Sequence, residues 1–76
     1  MVKTCNYVVE LINKGSEFAT EVGRFTWTKE EVDKYWDEQV MIWLDDDNVR
    51  VGSKLILRNE KTNKIVKEAI KWEFII

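Results

Sequence analysis

The stretch Trp27–Val32, WTKEEV, marks where a helix begins, and that start constrains the rest of the chain. Thr28 is a strong N-cap residue, and Glu31 follows three positions on, the spacing of a capping box. Trp27 before the cap and Val32 after it stand where a hydrophobic staple forms. Glu30 and Glu31 put negative charge in the first turn, which suits the helix dipole. Val32, Tyr35, Trp36, Val40, Trp43 and Leu44 then fall on one face at i, i+3/i+4 spacing, flanked by Gln39 and Ile42. The opposite face reads Glu30, Asp33, Lys34, Asp37, Glu38, Met41 and Asp45. The spacing predicts a helix over about 28–44. A second reading ends it near Glu38 and makes Val40–Leu44 a strand, because a short apolar run fits either element.

The segments on either side alternate with period two. Lys3–Ile12 places Cys5, Tyr7, Val9 and Leu11 on one side. Asn13–Ser16 is a tight connection with Gly15 at the position that takes the left-handed conformation. Glu17–Trp27 returns with Phe18, Thr20 and Val22 on the inner face, then Phe25 and Trp27; the phase change at Gly23 predicts a bulge. Val49–Arg58 puts Val49, Val51, Ser53, Leu55 and Leu57 inward. Asn59–Asn63 is a polar hairpin loop, and Lys64–Phe74 comes back with Val66, Ile70, Trp72 and Phe74 inward and a bulge near Glu68 or Ala69. The run from Asn63 to Trp72 also fits a helix, but its β-branched content favours a strand. The expected fold class is α+β: an antiparallel four-stranded sheet, β-β-α-β-β, with one helix packed on one face. At 76 residues the chain is read as a single compact domain.

Composition removes most enzymatic chemistry. The chain has no histidine, hence neither the commonest general base nor the commonest metal ligand. The glycines are isolated, so no phosphate-cradling loop is present. One cysteine, Cys5, precludes an internal disulfide and reads as a core residue. The run Asp45–Asn48, DDDN, lacks the alternating oxygens, the turn glycine and the distant bidentate acid of a calcium loop. The expectation is a protein that is not an enzyme and has no catalytic residue, metal or cofactor. No apolar run approaches the roughly 20 residues that span a bilayer. The opening residues, MVKTCNYVV, show no signal-peptide pattern, so a cytoplasmic location without membrane contact is expected.

The charge distribution is uneven. Thr28–Asp47 holds eight acids against two bases, a balance of −6; Asn48–Lys71 holds seven bases against two acids, a balance of +5. Two binding surfaces follow. The first is an acidic helix face, Glu30, Asp33, Asp37, Glu38, Met41, Asp45, Asp46 and Asp47, directed at a protein with a basic surface, with Met41 as an apolar anchor in a polar rim. The second is a basic hairpin, Arg50, Lys54, Arg58, Lys61, Lys64, Lys67 and Lys71, directed at nucleic acid through phosphate contacts. A third reading is a homodimer that covers apolar surface. Small chains free of proline and histidine are common among accessory proteins of phages and mobile elements, many of them inhibitors. By that association, the first surface suits a modulator of a host nucleic-acid-processing or defence complex, acting in the host cytoplasm. The acid run also poses a physical question. Three aspartates stand at a helix C-terminus, where negative charge is unfavourable.

Overall fold

A computed structural model describes residues 3–72 of the chain. The order is β1 (Thr4–Ile12), β2 (Thr20–Thr28), α1 (Lys29–Leu44), β3 (Lys54–Asn59) and β4 (Ile65–Ile70). The strands form one antiparallel sheet in the order β2-β1-β3-β4, with α1 on one face. This is the expected α+β arrangement. β1 pairs antiparallel with both β2 and β3, so those two run in the same direction with β1 between them. The helix therefore crosses the sheet as the link from β2 to β3.

The helix starts where the sequence places it. The Thr28 hydroxyl accepts from Glu31 N–H at 3.1 Å, and Glu31 Oε1 accepts from Thr28 N–H at 2.9 Å, a complete capping box. Such a cap contributes about 1 kcal/mol. Trp27 and Val32 both lie in the core beneath α1, as a staple requires. The helix runs to Leu44, so Val40–Leu44 completes it and forms no strand. Its inner face meets Tyr7, Val9, Leu11, Leu55 and Leu57 from the two central strands. Trp27 anchors an aromatic row, stacked on Phe25 at 4.5 Å between centroids and tilted against Tyr35 at 5.7 Å. Burial is the main cause that pushes the Tyr7 phenol above its ordinary pKa, with the Cys5 thiol adding to it.

The bulge in β2 is present. Val9 pairs with Gly23 and Glu10 with Glu21, leaving Val22 as the extra residue. A side chain at Gly23 would sit 2.9 Å from the Phe25 ring, so a residue without Cβ lets that ring lie over the strand. Gly15 has φ +87° in the β1–β2 turn, as expected.

Several expectations need correction. Phe18 is exposed, because β2 begins at Thr20 and Phe18 lies in the preceding bend. β3 begins at Lys54 rather than Val49: Ser53 N–H bonds to Arg50 C=O, and Gly52 has φ +95°, so Val49–Ser53 is a turn. Val49 and Ser53 still turn inward, but Val51 does not. β4 has the opposite phase from that expected at its end. Its bulge falls at Val66, since Leu57 pairs with Lys67 and Arg58 with Ile65. Ala69 thus packs on the core, while Val66, Ile70 and Trp72 are exposed. The strand also ends at Ile70, and the expected inward position of Phe74 lies outside the described residues.

The sheet face away from α1 has its own cover. Ile56 points to this side yet is only 1% exposed. Its cross-strand neighbours are Glu10 and Glu68, and its neighbours along β3 are Lys54 and Arg58. Arg58 Nε meets Glu10 Oε1 at 2.7 Å, and Lys54 Nζ meets Glu68 Oε2 at 3.8 Å. The two ion pairs lay their aliphatic stems around Ile56 and keep their charged ends in water.

Candidate protein-binding surface

The outer face of α1 carries the expected acids. Glu30, Asp33, Asp37, Glu38 and Asp45 are all exposed, with Met41 65% exposed among the last three. They line up because residues three and four apart share a helix face. Ile42, expected as a flank of the buried stripe, is 61% exposed and extends the apolar spot beside Met41. Lys34 is drawn toward the Tyr35 ring, 5.4 Å from its centroid. Among the described residues Asp33 is the one acid of this face in an ion pair, with Lys67 of β4 at 3.1 Å.

The acid run after the helix is organised by a residue from the far end of the chain. Asp45 is the C-cap, and its N–H bonds to Met41 C=O at 3.3 Å. The last helical turn contains no base. Lys71 supplies the missing positive charge: its ammonium donates to Asp46 C=O at 2.7 Å and Val49 C=O at 2.8 Å. The Asp46 carboxylate accepts from Asn48 N–H at 2.9 Å, closing a local turn. Asp46 is therefore half-buried and structural, whereas Asp45 and Asp47 project to solvent. No sequence spacing connects Lys71 to this loop. The link comes from β4 ending beside it, where Gly52 N–H bonds to Lys71 C=O and Lys71 N–H to Ser53 C=O.

The basic hairpin is largely occupied. Lys54, Arg58 and Lys67 are in ion pairs with Glu68, Glu10 and Asp33, and Lys71 is bound to the loop carbonyls. Arg50, Lys61 and Lys64 remain, and they do not form one patch. Arg50 lies in the turn before β3, at the end of the sheet opposite Lys61 and Lys64 in the β3–β4 turn. On the same open face Arg24 bridges Glu21 at 2.7 Å and Glu60 at 3.0 Å. Those carboxylates, Glu21 first, push its guanidinium pKa further up.

The remaining concave surface holds little chemistry. A cleft of about 780 Å³ at the start of β1 is lined by Lys3, Cys5, Asn6, Asn59, Glu60 and Lys61 among others. Among the described residues no cluster of three acids or thiols is placed to hold a metal ion. No described helix is long and apolar enough to cross a membrane. No family model, no curated protein and no solved structure matches the chain.

Proposed function

We propose that the protein is a non-catalytic binding module that docks a basic protein surface through the outer face of α1 and the adjoining Asp45 and Asp47. The observation that supports this reading is a difference in how the two charged regions use their charges. Among the described residues the outward acids of α1 point to water with one ion pair among them, while four of the seven hairpin bases are engaged by partners within the fold. Unpaired carboxylates spaced along a rigid helix make a complementary field for arginine and lysine, and such fields speed encounter. A nucleic-acid groove is one surface of that kind, and carboxylates seated at its phosphate sites would exclude nucleic acid. Inhibition of a host nucleic-acid-processing complex is the form of activity this predicts.

The test begins with recovery of a protein from a lysate by the tagged chain at low salt. That protein is then titrated against Asp37→Asn/Glu38→Gln/Asp45→Asn and against Lys61→Glu/Lys64→Glu. Loss of binding in the amide variant alone, at an unchanged denaturation midpoint, is the expected result. A partner that binds the amide variant normally would reject the proposal. The nucleic-acid alternative is tested by mobility shift with duplex DNA and with RNA at low salt, where phosphate contacts are strongest. A salt-sensitive shift abolished by Lys61→Glu/Lys64→Glu would favour it instead.

A further inference from the structure

Among the described residues six of the eight large exposed hydrophobics lie toward one end of the sheet: Ile70 and Trp72 at the β4 edge, Met41, Ile42 and Val51 in and after the last turn of α1, and Phe18 before β2 at the opposite edge. This is the end where α1 and β4 finish and the β1–β2 turn lies. Phe18 is 80% and Trp72 73% exposed. Scattered single hydrophobics on a surface need no explanation, but Ile70 and Trp72 line one cavity together.

These two residues border a groove. A space of about 330 Å³ opens between α1 and β4, lined by Val40, Leu44, Glu68, Ala69, Ile70 and Trp72. Ligand pockets span roughly 300–1,000 Å³, so this one suits a side chain or two of a larger partner better than a whole ligand. Its floor and one wall are apolar. Its helix side is acidic: Asp37 stands one turn beyond Asp33 on the flank that faces β4, whereas Glu68 on the β4 side is paired with Lys54 on the other sheet face. The nearby bases are taken, Lys67 by Asp33 and Lys71 by loop carbonyls. β4 is also an edge strand, with no neighbour on its outer side among the described residues. Its outward backbone groups are open to an added strand.

We infer that this groove receives an extended partner segment that pairs with the β4 edge, seats one large apolar side chain against Val40, Leu44 and Trp72, and carries arginine or lysine where it passes the acids of α1. The inference rests on the reading of the acidic face as a docking surface. It adds what an acid face alone lacks, an apolar anchor and a defined register. Charge then sets the association rate, and the anchored side chain sets how long the complex lasts.

The experiment is an amide-resolved NMR titration of the full chain with two synthetic peptides. One is arginine-flanked with a central leucine, and the other has serine in its place. The leucine peptide is expected to bind about tenfold more tightly, the effect of burying one such side chain. Its shifts should centre on Val40, Leu44, Ala69 and Ile70, and Trp72→Ser, at an exposed position, should erase the difference between the peptides. Ile70→Thr, which keeps strand propensity, should weaken the leucine peptide with the fold intact. Equal binding of both peptides along Glu30–Asp45 would overturn the groove and leave the acidic-face reading standing. Binding of neither would count against both. Shifts at the groove that appear on raising protein concentration alone, with a dimer in sedimentation, would assign the groove to a second copy and overturn the inference. Groove contacts to the chain's own last four residues that persist with peptide present would overturn it as well.

Discussion

Two charged surfaces of this protein face water, and they use their charges differently. On the open face of the sheet the charges are paired across strands: Arg24 with Glu21 and Glu60, Arg58 with Glu10, Lys54 with Glu68. They roof an apolar layer that no helix covers, with Ile56 and Val8 beneath. On the outer face of α1 the acids have, among the described residues, a single cross-element partner, Lys67, and surround an exposed Met41. The first surface spends its charges on the fold. The second leaves them free, and a free field is what a charged partner meets. Formal charge counts along the chain do not separate these cases, because both regions look strongly charged in sequence.

The sharpest way to break this comparison is to remove an apolar side chain from each surface. Ile56→Ala should cost about 2–5 kcal/mol, the loss seen at buried core sites, while Met41→Ala should leave the urea midpoint nearly unchanged. A small loss at Ile56 would mean that the ion pairs do not exclude water from it. Next in size is Lys71→Met, which keeps the stem and removes the ammonium from two carbonyls. Hydrogen bonds from charged groups contribute more than neutral ones, so a loss of about 1–3 kcal/mol is expected in chemical denaturation. No loss would return Lys71 to the free basic surface. Arg58→Ala should then cost about 1 kcal/mol through its pair and the lost cover of Ile56. Glu38→Ala, on the helix, should fall within ±0.5 kcal/mol, the usual range for such surface changes.

An effect of opposite sign, a gain in stability, is expected at the acid run. Asp45→Asn/Asp47→Asn removes negative charge from the helix C-terminus. Each change should raise stability by roughly 0.3–1 kcal/mol at low salt, less when screened. A thermal melt at two salt concentrations measures this. Lower stability would mean that Lys71 draws on these carboxylates as well as on the loop carbonyls. The double variant leaves Asp46 in place because its carboxylate caps Asn48 N–H.

Much of this was legible from local signals. The capping box at Thr28 and Glu31, the bulge beside Gly23 and the order of elements along the chain follow from residues close together in sequence, where propensity and spacing act directly. The acidic face was legible for the same reason, since helical periodicity alone sorts Glu30 to Asp45 onto one side. What escaped depended on contacts distant in the chain. The phase of β4 is set by the Val66 bulge against β3, which moves Ala69 inward and Ile70 out. The partners of the hairpin bases, Glu10 to Arg58 and Asp33 to Lys67, lie tens of residues away. Lys71 reads as one more surface lysine until β4 brings it to the loop after α1. Ile42 was misjudged because the inner stripe of α1 is narrower at its C-terminal end than the periodicity implies.

The central claim is that the outward carboxylates of α1 other than Asp33 are free to meet a cation, while four of the seven hairpin bases are already engaged within the fold. Isothermal titration of the chain with an arginine-rich peptide, for the parent and for Asp37→Asn/Glu38→Gln/Asp45→Asn, tests it most directly. The prediction is binding that weakens as salt rises and is lost in the amide variant, with both proteins equally stable. Equal heats and affinities for parent and variant would contradict the account, because the peptide would then be held by acids other than those of the helix.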